Sequence, residues 1–236
     1  MASDTTYTVE PKAAHTHTQT VIFLHGRDSN CREFAGELFE SEASEPANQP
    51  RTLPDLFPGI RWVFSSAPIL QSERFSTDIS QWFDMWSVEN PVERPGLQSP
   101  GLTSEQEMLV PHERIFLAGI SQGFATAIAV FFAAAPRGFA GLIGLCSWMP
   151  AVLRAEDFQS FEDTSDSKSS RSTHVFLGHF IDDKVMPIKK GRDLRDTLQL
   201  QQLQVDWREY ENGGHWVNEP QGMDDIARFI NSTFLP

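Results

Sequence analysis

Residues 114–136 read Arg-Ile-Phe-Leu-Ala-Gly-Ile-Ser-Gln-Gly-Phe-Ala-Thr-Ala-Ile-Ala-Val-Phe-Phe-Ala-Ala-Ala-Pro. Arg114–Ala118 is a short apolar run of the kind that forms a buried parallel strand. Gln122–Ala135 is apolar on every side, as expected of a helix packed beneath a sheet, and Pro136 stops it. Between them lies Gly119-Ile120-Ser121-Gln122-Gly123. On a tight strand-to-helix turn the serine takes a strained conformation, and the flanking glycines leave the backbone room to bend. Its hydroxyl would then project at the carboxyl end of a sheet, in front of the unpaired N–H groups of a helix N-terminus. The plainer alternative is a serine that only caps the helix.

Outward from this unit, similar apolar runs occur at Thr20–His25, Arg61–Ser65, Gly141–Ser147, His174–Gly178 and Val205–Glu209. Helical patterns separate several of them. Pro187–Leu200 opens with a proline and places Leu194 and Leu198 four residues apart, and Met223, Ile226, Ile230 and Phe234 recur at helical spacing. Strands alternating with helices predict an α/β fold with a mostly parallel central sheet flanked by helices. The 236 residues suit one domain, expected over 19–236 behind a flexible tail at 1–18. Residues 40–52 and 154–173 are polar and read as exposed loops.

A net charge of −13, with no cluster of Lys or Arg, argues against a nucleic-acid partner and against a polybasic membrane contact. Met1–Gln19 lacks the basic and apolar regions of a secretory signal, and the longest apolar stretch is too short to span a bilayer. The two cysteines, Cys31 and Cys146, read as free thiols. A cytoplasmic protein without stable membrane insertion is expected; its oligomeric state is open.

A nucleophilic serine needs a base, and the base an orienting acid. Where the serine sits on a G-x-S-x-G turn between strand and helix, the order along the chain is serine, acid, histidine. After His174–Gly178 come Asp182 and Asp183; after Val205–Glu209 comes Asn212-Gly213-Gly214-His215. Two glycines before a histidine permit a sharp loop that swings an imidazole over the sheet. Both loops leave the carboxyl ends of strands, where open α/β sheets bind ligands. Oxyanion donors would be the backbone N–H groups of Gln122 and of Arg27, which follows His25-Gly26; the plainer alternative is that Gly26 simply ends a strand. Trp82, Phe83, Trp86, Trp148 and Met149 could line an acyl channel, or be ordinary core side chains.

Together, Phe23-Leu24-His25-Gly26, Trp82-Phe83-Asp84, Gly119–Gly123, Leu145–Pro150, His179 with Asp183, and Gly214-His215 resemble the acyl-protein thioesterase/carboxylesterase family. This is the phospholipase–carboxylesterase branch of the α/β-hydrolases, and Leu53–Ala67 and Ser80–Pro91 resemble its fungal members. The resemblance implies one α/β-hydrolase domain, no cofactor and no metal. It assigns Ser121 as nucleophile, Asp183 as acid (over its neighbour Asp182) and His215 as base, with Arg27 and Gln122 at the oxyanion hole. It also implies an S-acylated protein as substrate, with small carboxylic esters and lysophospholipids as rivals. Three departures stand out: Phe180 where the family has glycine, Phe124 where a small residue is usual, and a shortened crossover helix, reduced to Thr103–Leu109.

The expected chemistry is ester or thioester hydrolysis through an acyl-enzyme, with a rate that rises with pH through about 6–7 as a histidine base loses its proton. Two other classes compete. His179, Asp183 and His215, with His25 nearby, could ligate zinc, although no compact ligand spacing is present. A member of the fold that binds acyl ligands without turnover is the non-enzymatic alternative.

Overall fold

The computed structural model describes residues 5–87, 90, 93, 112–133, 138–151, 153 and 172–233. A seven-stranded sheet runs, in spatial order, Thr6–Val9 (β1), Ile60–Ser65 (β3), Gln19–Leu24 (β2), Ile115–Ile120 (β6), Gly141–Leu145 (β7), His174–Phe180 (β8) and Gln204–Tyr210 (β9). Every neighbouring pair is parallel except β1 with β3. Ile69–Ser72 (β4) and Thr77–Ser80 (β5) form a separate antiparallel hairpin.

Alternation along the strands explains the layers. Val21, Phe23, Phe116 and Ile143 face one side, where they pack with Cys31–Glu40 (α1) and Gln221–Ser232 (α5). Ile22, Leu24, Leu117 and Leu142 face the other, with Gln122–Ala133 (α3) and Ile188–Leu200 (α4). Each fully buried Phe or Leu in these layers contributes roughly 1.5–3 kcal/mol of transfer free energy. Helix α1 starts at Asn30, whose side chain accepts from the N–H groups of Arg32 and Glu33 at 3.1 Å each. Leu53–Leu56 (α2) is a single turn closed by Thr52 and Asp55.

The tail expected over residues 1–18 is ordered in part. Thr6–Val9 pairs with β3 in the register Thr6↔Ser65 to Val9↔Trp62. Its β-branched and aromatic side chains suit a pleated edge, and the Arg32 guanidinium covers the Tyr7 ring at 4.8 Å. Of the loop expected over residues 40–52, Glu40 ends α1 and 41–52 form a loop that is tied down: Ser41 Oγ donates to Glu219, and the Ser44 N–H donates to Asp224. The shortened crossover at Thr103–Leu109, and residues 154–171 of the polar stretch, lie outside the described residues.

Candidate active site

Ser121 leaves β6 with φ +54°, in the left-handed region that favours glycine. The turn is possible because two backbones touch beside it. A Cβ on Gly119 would stand 2.6 Å from the Gly123 carbonyl carbon, and one on Gly123 would run into the Leu24 carbonyl. The spacing of the motif is thus a steric requirement, and it presses the first turn of α3 against the end of β2. Ser147 Oγ donates to the Ser121 carbonyl at 2.7 Å, and the Ser121 N–H donates to Leu145 O at 2.8 Å. Ser121 itself is 5 % exposed.

The loop after β2 passes close by. A Cβ on Gly26 would meet that of Ser121 at 3.7 Å. His25 holds this loop from within: Nδ1 donates to Gly26 O at 2.6 Å and Nε2 accepts from the Ala67 N–H at 2.9 Å. Both nitrogens are committed, burial pushes the imidazole below its usual range, and the ring is a neutral strut. No described residue accepts a hydrogen bond from the backbone N–H of Arg27 or Gln122. The Arg27 side chain reaches the hairpin, donating to Ser72 Oγ at 3.1 Å and lying 3.7 Å from Asp84. The Gln122 side chain accepts from the Trp82 N–H and donates to Phe83 O, at 2.9 and 2.7 Å. That use of the Gln122 amide has no signal in the sequence.

Asp183 and His215 meet across two loops. His215 Nδ1 donates to Asp183 Oδ2 at 2.7 Å, while Asp183 Oδ1 accepts from the N–H groups of Val185 and Met186 at 2.8 Å each. Burial works to raise the Asp183 carboxyl, but the His215 bond and charge, together with those two N–H groups, outweigh it and hold the carboxyl below the usual range. Asp182 faces away from the imidazole and accepts from Gly214 N–H at 3.0 Å and, at 3.4 Å, from Gly213. The two adjacent aspartates therefore hold different things: one the ring, the other the turn that carries it. His179 is buried and its Nε2 donates to Met186 O at 2.8 Å.

The two bulky departures are each met by a glycine. The Phe180 ring fills the place where a Cβ on Gly213, with φ +145°, would collide with it. The Phe124 ring lies 2.5 Å from where a Cβ on Gly144 would stand. Of the aromatic candidates, Phe83 and Trp148 are buried in a cluster with Met85, Ala125 and Met186. Trp82 is half-buried at its margin, and Met149 is half-buried against the layer of Ile22, Leu117 and Phe124. His25 is not gathered with His179, Asp183 and His215 as a zinc set, since its ring nitrogens are taken; the third donor beside Asp183 and His215 is Cys146.

The family model of the phospholipases/carboxylesterases matches residues 5–234. The chain belongs to that family. This phospholipase/carboxylesterase is 26% identical to acyl-protein thioesterase 1 of Yarrowia lipolytica over 235 residues, covering 94% of this chain and 93% of that one. It is 28% identical to acyl-protein thioesterase 1 of Cryptococcus neoformans over 207 residues, 80% and 76% of the two chains. The fold is shared with acyl-protein thioesterase 2 of Zea mays (TM-score 0.69, 21% identity, 97% and 98% coverage). It is shared also with SOBER1 of Arabidopsis thaliana (TM-score 0.69, 19% identity, 92% and 99% coverage). The chain is thus a serine hydrolase of the thioesterase/carboxylesterase type on an α/β-hydrolase fold. Among the described residues, no helix is long and apolar enough to cross a membrane.

Proposed function

We propose that Ser121 is the nucleophile, His215 the general base and Asp183 its orienting acid, acting on the thioester of an S-acylated protein. The observation that carries this reading is the 2.7 Å bond from His215 Nδ1 to a buried Asp183 carboxylate, at the sheet edge where Ser121 stands in a left-handed turn. With Nδ1–H given to Asp183, Nε2 has the free lone pair that accepts the Ser121 proton as the oxygen attacks the acyl carbonyl. The N–H groups of Arg27 and Gln122 receive the oxyanion, the thiol leaves with the proton, and water repeats the sequence on the acyl-enzyme. The thioester preference comes from the names of the curated relatives, which are acyl-protein thioesterases. A cytoplasmic location goes with such a substrate.

Labelling by a fluorophosphonate, beside Ser121→Ala, tests the nucleophile. Labelling of the parent alone is expected, followed by faster turnover of a long-chain acyl thioester than of the matching lysophospholipid. A folded parent that takes up no label but binds acyl ligands is instead a binding member of the fold.

A further inference from the structure

Cys146 occupies on β7 the place that Ser121 occupies on β6, one residue past the strand and also with positive φ, +46°. Its N–H donates to Gly178 O at 2.9 Å, and its thiol, facing inward, donates to Trp216 O at 3.4 Å. This brings Sγ beside the acid–base pair. One donor atom each from Cys146, Asp183 and His215 lies within 4.8 Å of the other two. The proposed reaction gives the thiol no task.

We propose that Cys146, Asp183 and His215 form an inhibitory zinc site. The inference rests on the triad reading above only for its effect on activity, not for the binding of metal. Thiolate, carboxylate and imidazole are the donor set of tetrahedral zinc, and a fourth position stays open for water. Bonds of about 2.0–2.3 Å put tetrahedral ligands roughly 3.3–3.8 Å apart, so a donor spread of up to 4.8 Å closes by about 1–1.5 Å at most. The nitrogen turned toward the carboxylate is Nδ1, which now carries the proton donated to Asp183. When Zn2+ enters, the thiol proton leaves to solvent and the imidazole proton moves from Nδ1 to Nε2. Sulfur, Nδ1 and a carboxylate oxygen each bind the metal, and one proton is released overall. The ring is then protonated at Nε2, where it can no longer accept a proton from Ser121.

The test uses the full chain, with Co2+ as spectroscopic probe and Zn2+ as inhibitor of thioester hydrolysis. Expected are a thiolate-to-cobalt charge-transfer band in the parent and inhibition that a chelator reverses. Cys146→Ser loses the band and needs about 100-fold more zinc, or beyond, for the same inhibition, since altering even an outer partner of a metal ligand costs about 10–100-fold. Cys146→Ala serves as a second variant, each being compared with its own metal-free rate. The other thiol, Cys31, is present in every variant, so the difference spectrum reports Cys146 alone. A folded parent without the band overturns the site, and so does equal zinc sensitivity in parent and both variants. If the band forms but no fluorophosphonate label is taken up, the nucleophile assignment falls and the zinc site stands.

Discussion

The elbow at Ser121 and the paired loops carrying Asp183 and His215 reach the same sheet edge by different physics. At the elbow, positions are fixed by contact between backbones: α3 lies so near the end of β2 that Gly123 has no room for a methyl group. At the loops, positions are fixed by hydrogen bonds across more than thirty residues, Asp182 to Gly214 and Asp183 to His215. Steric fixation fails all at once when an atom is added. Polar fixation fails by degrees and depends on pH.

The largest effect is therefore expected at the elbow. In Gly123→Ala the new carbon meets the carbonyl oxygens of Leu24 and His25, which are backbone and cannot rotate away. Overpacking against side chains costs about 1–3 kcal/mol, and a backbone clash belongs at or beyond the top of that range. Urea unfolding should show a loss of about 3 kcal/mol or more, or no folded protein at all. A loss under about 1 kcal/mol would mean that α3 can slide on β2, and the contrast between the two regions would disappear.

The loops contain one steric pair of their own, Phe180 with Gly213, which allows the two mechanisms to be separated within a single site. Gly213→Ala should cost about 2 kcal/mol, partly from the ring contact and partly from φ +145°, where an L side chain is strained. Adding Phe180→Ala removes the ring contact and leaves the strain. In a double-mutant cycle the coupling should reach about 1 kcal/mol or more. Coupling near zero would assign the whole cost to the backbone and make Phe180 a bystander.

The elbow was legible in the sequence because its determinants are local: strand, two glycines and an apolar helix lie in a single stretch of chain. The same holds for β8, β9, α4 and α5, whose apolar spacing announced them. β1 was hidden because Thr6–Val9 is only four residues long and sits in polar surroundings; what makes it a strand is the free edge of β3, which lies far along the chain. Helix α1 carried a usable signal in Asn30, Phe34 and Leu38, whereas the hairpin β4–β5 offers only weak alternation with Ile69 exposed. Composition could not choose between Asp182 and Asp183. The choice is made by the direction in which the chain leaves β8, which turns one carboxylate to the imidazole and the other to the glycines. Phe124 and Phe180 could be seen as departures, but their partners Gly144 and Gly213 lie on other strands and loops, so compensation became visible only in three dimensions.

The smallest effect is the one that depends on pH, and its sign follows from Asp183. Its folded carboxyl is held below the ordinary value of 3.8, so the ionised form favours the folded state. That contribution is complete above the unfolded value and is lost as pH falls through the lower, folded one. Asp183→Asn keeps an acceptor for Val185 and Met186 but carries no charge for His215, and its amide has no acid titration. The parent should therefore be the more stable of the two near neutrality, and the gap should begin to narrow as pH falls below about 3.8. Urea midpoints at pH 6 and pH 3 measure it. A gap unchanged between the two would mean that the pair is held by shape, like the elbow, rather than by charge. A gap that narrows, beside a Gly123→Ala loss that is the same at both pH values, would show two kinds of fixation meeting in one site.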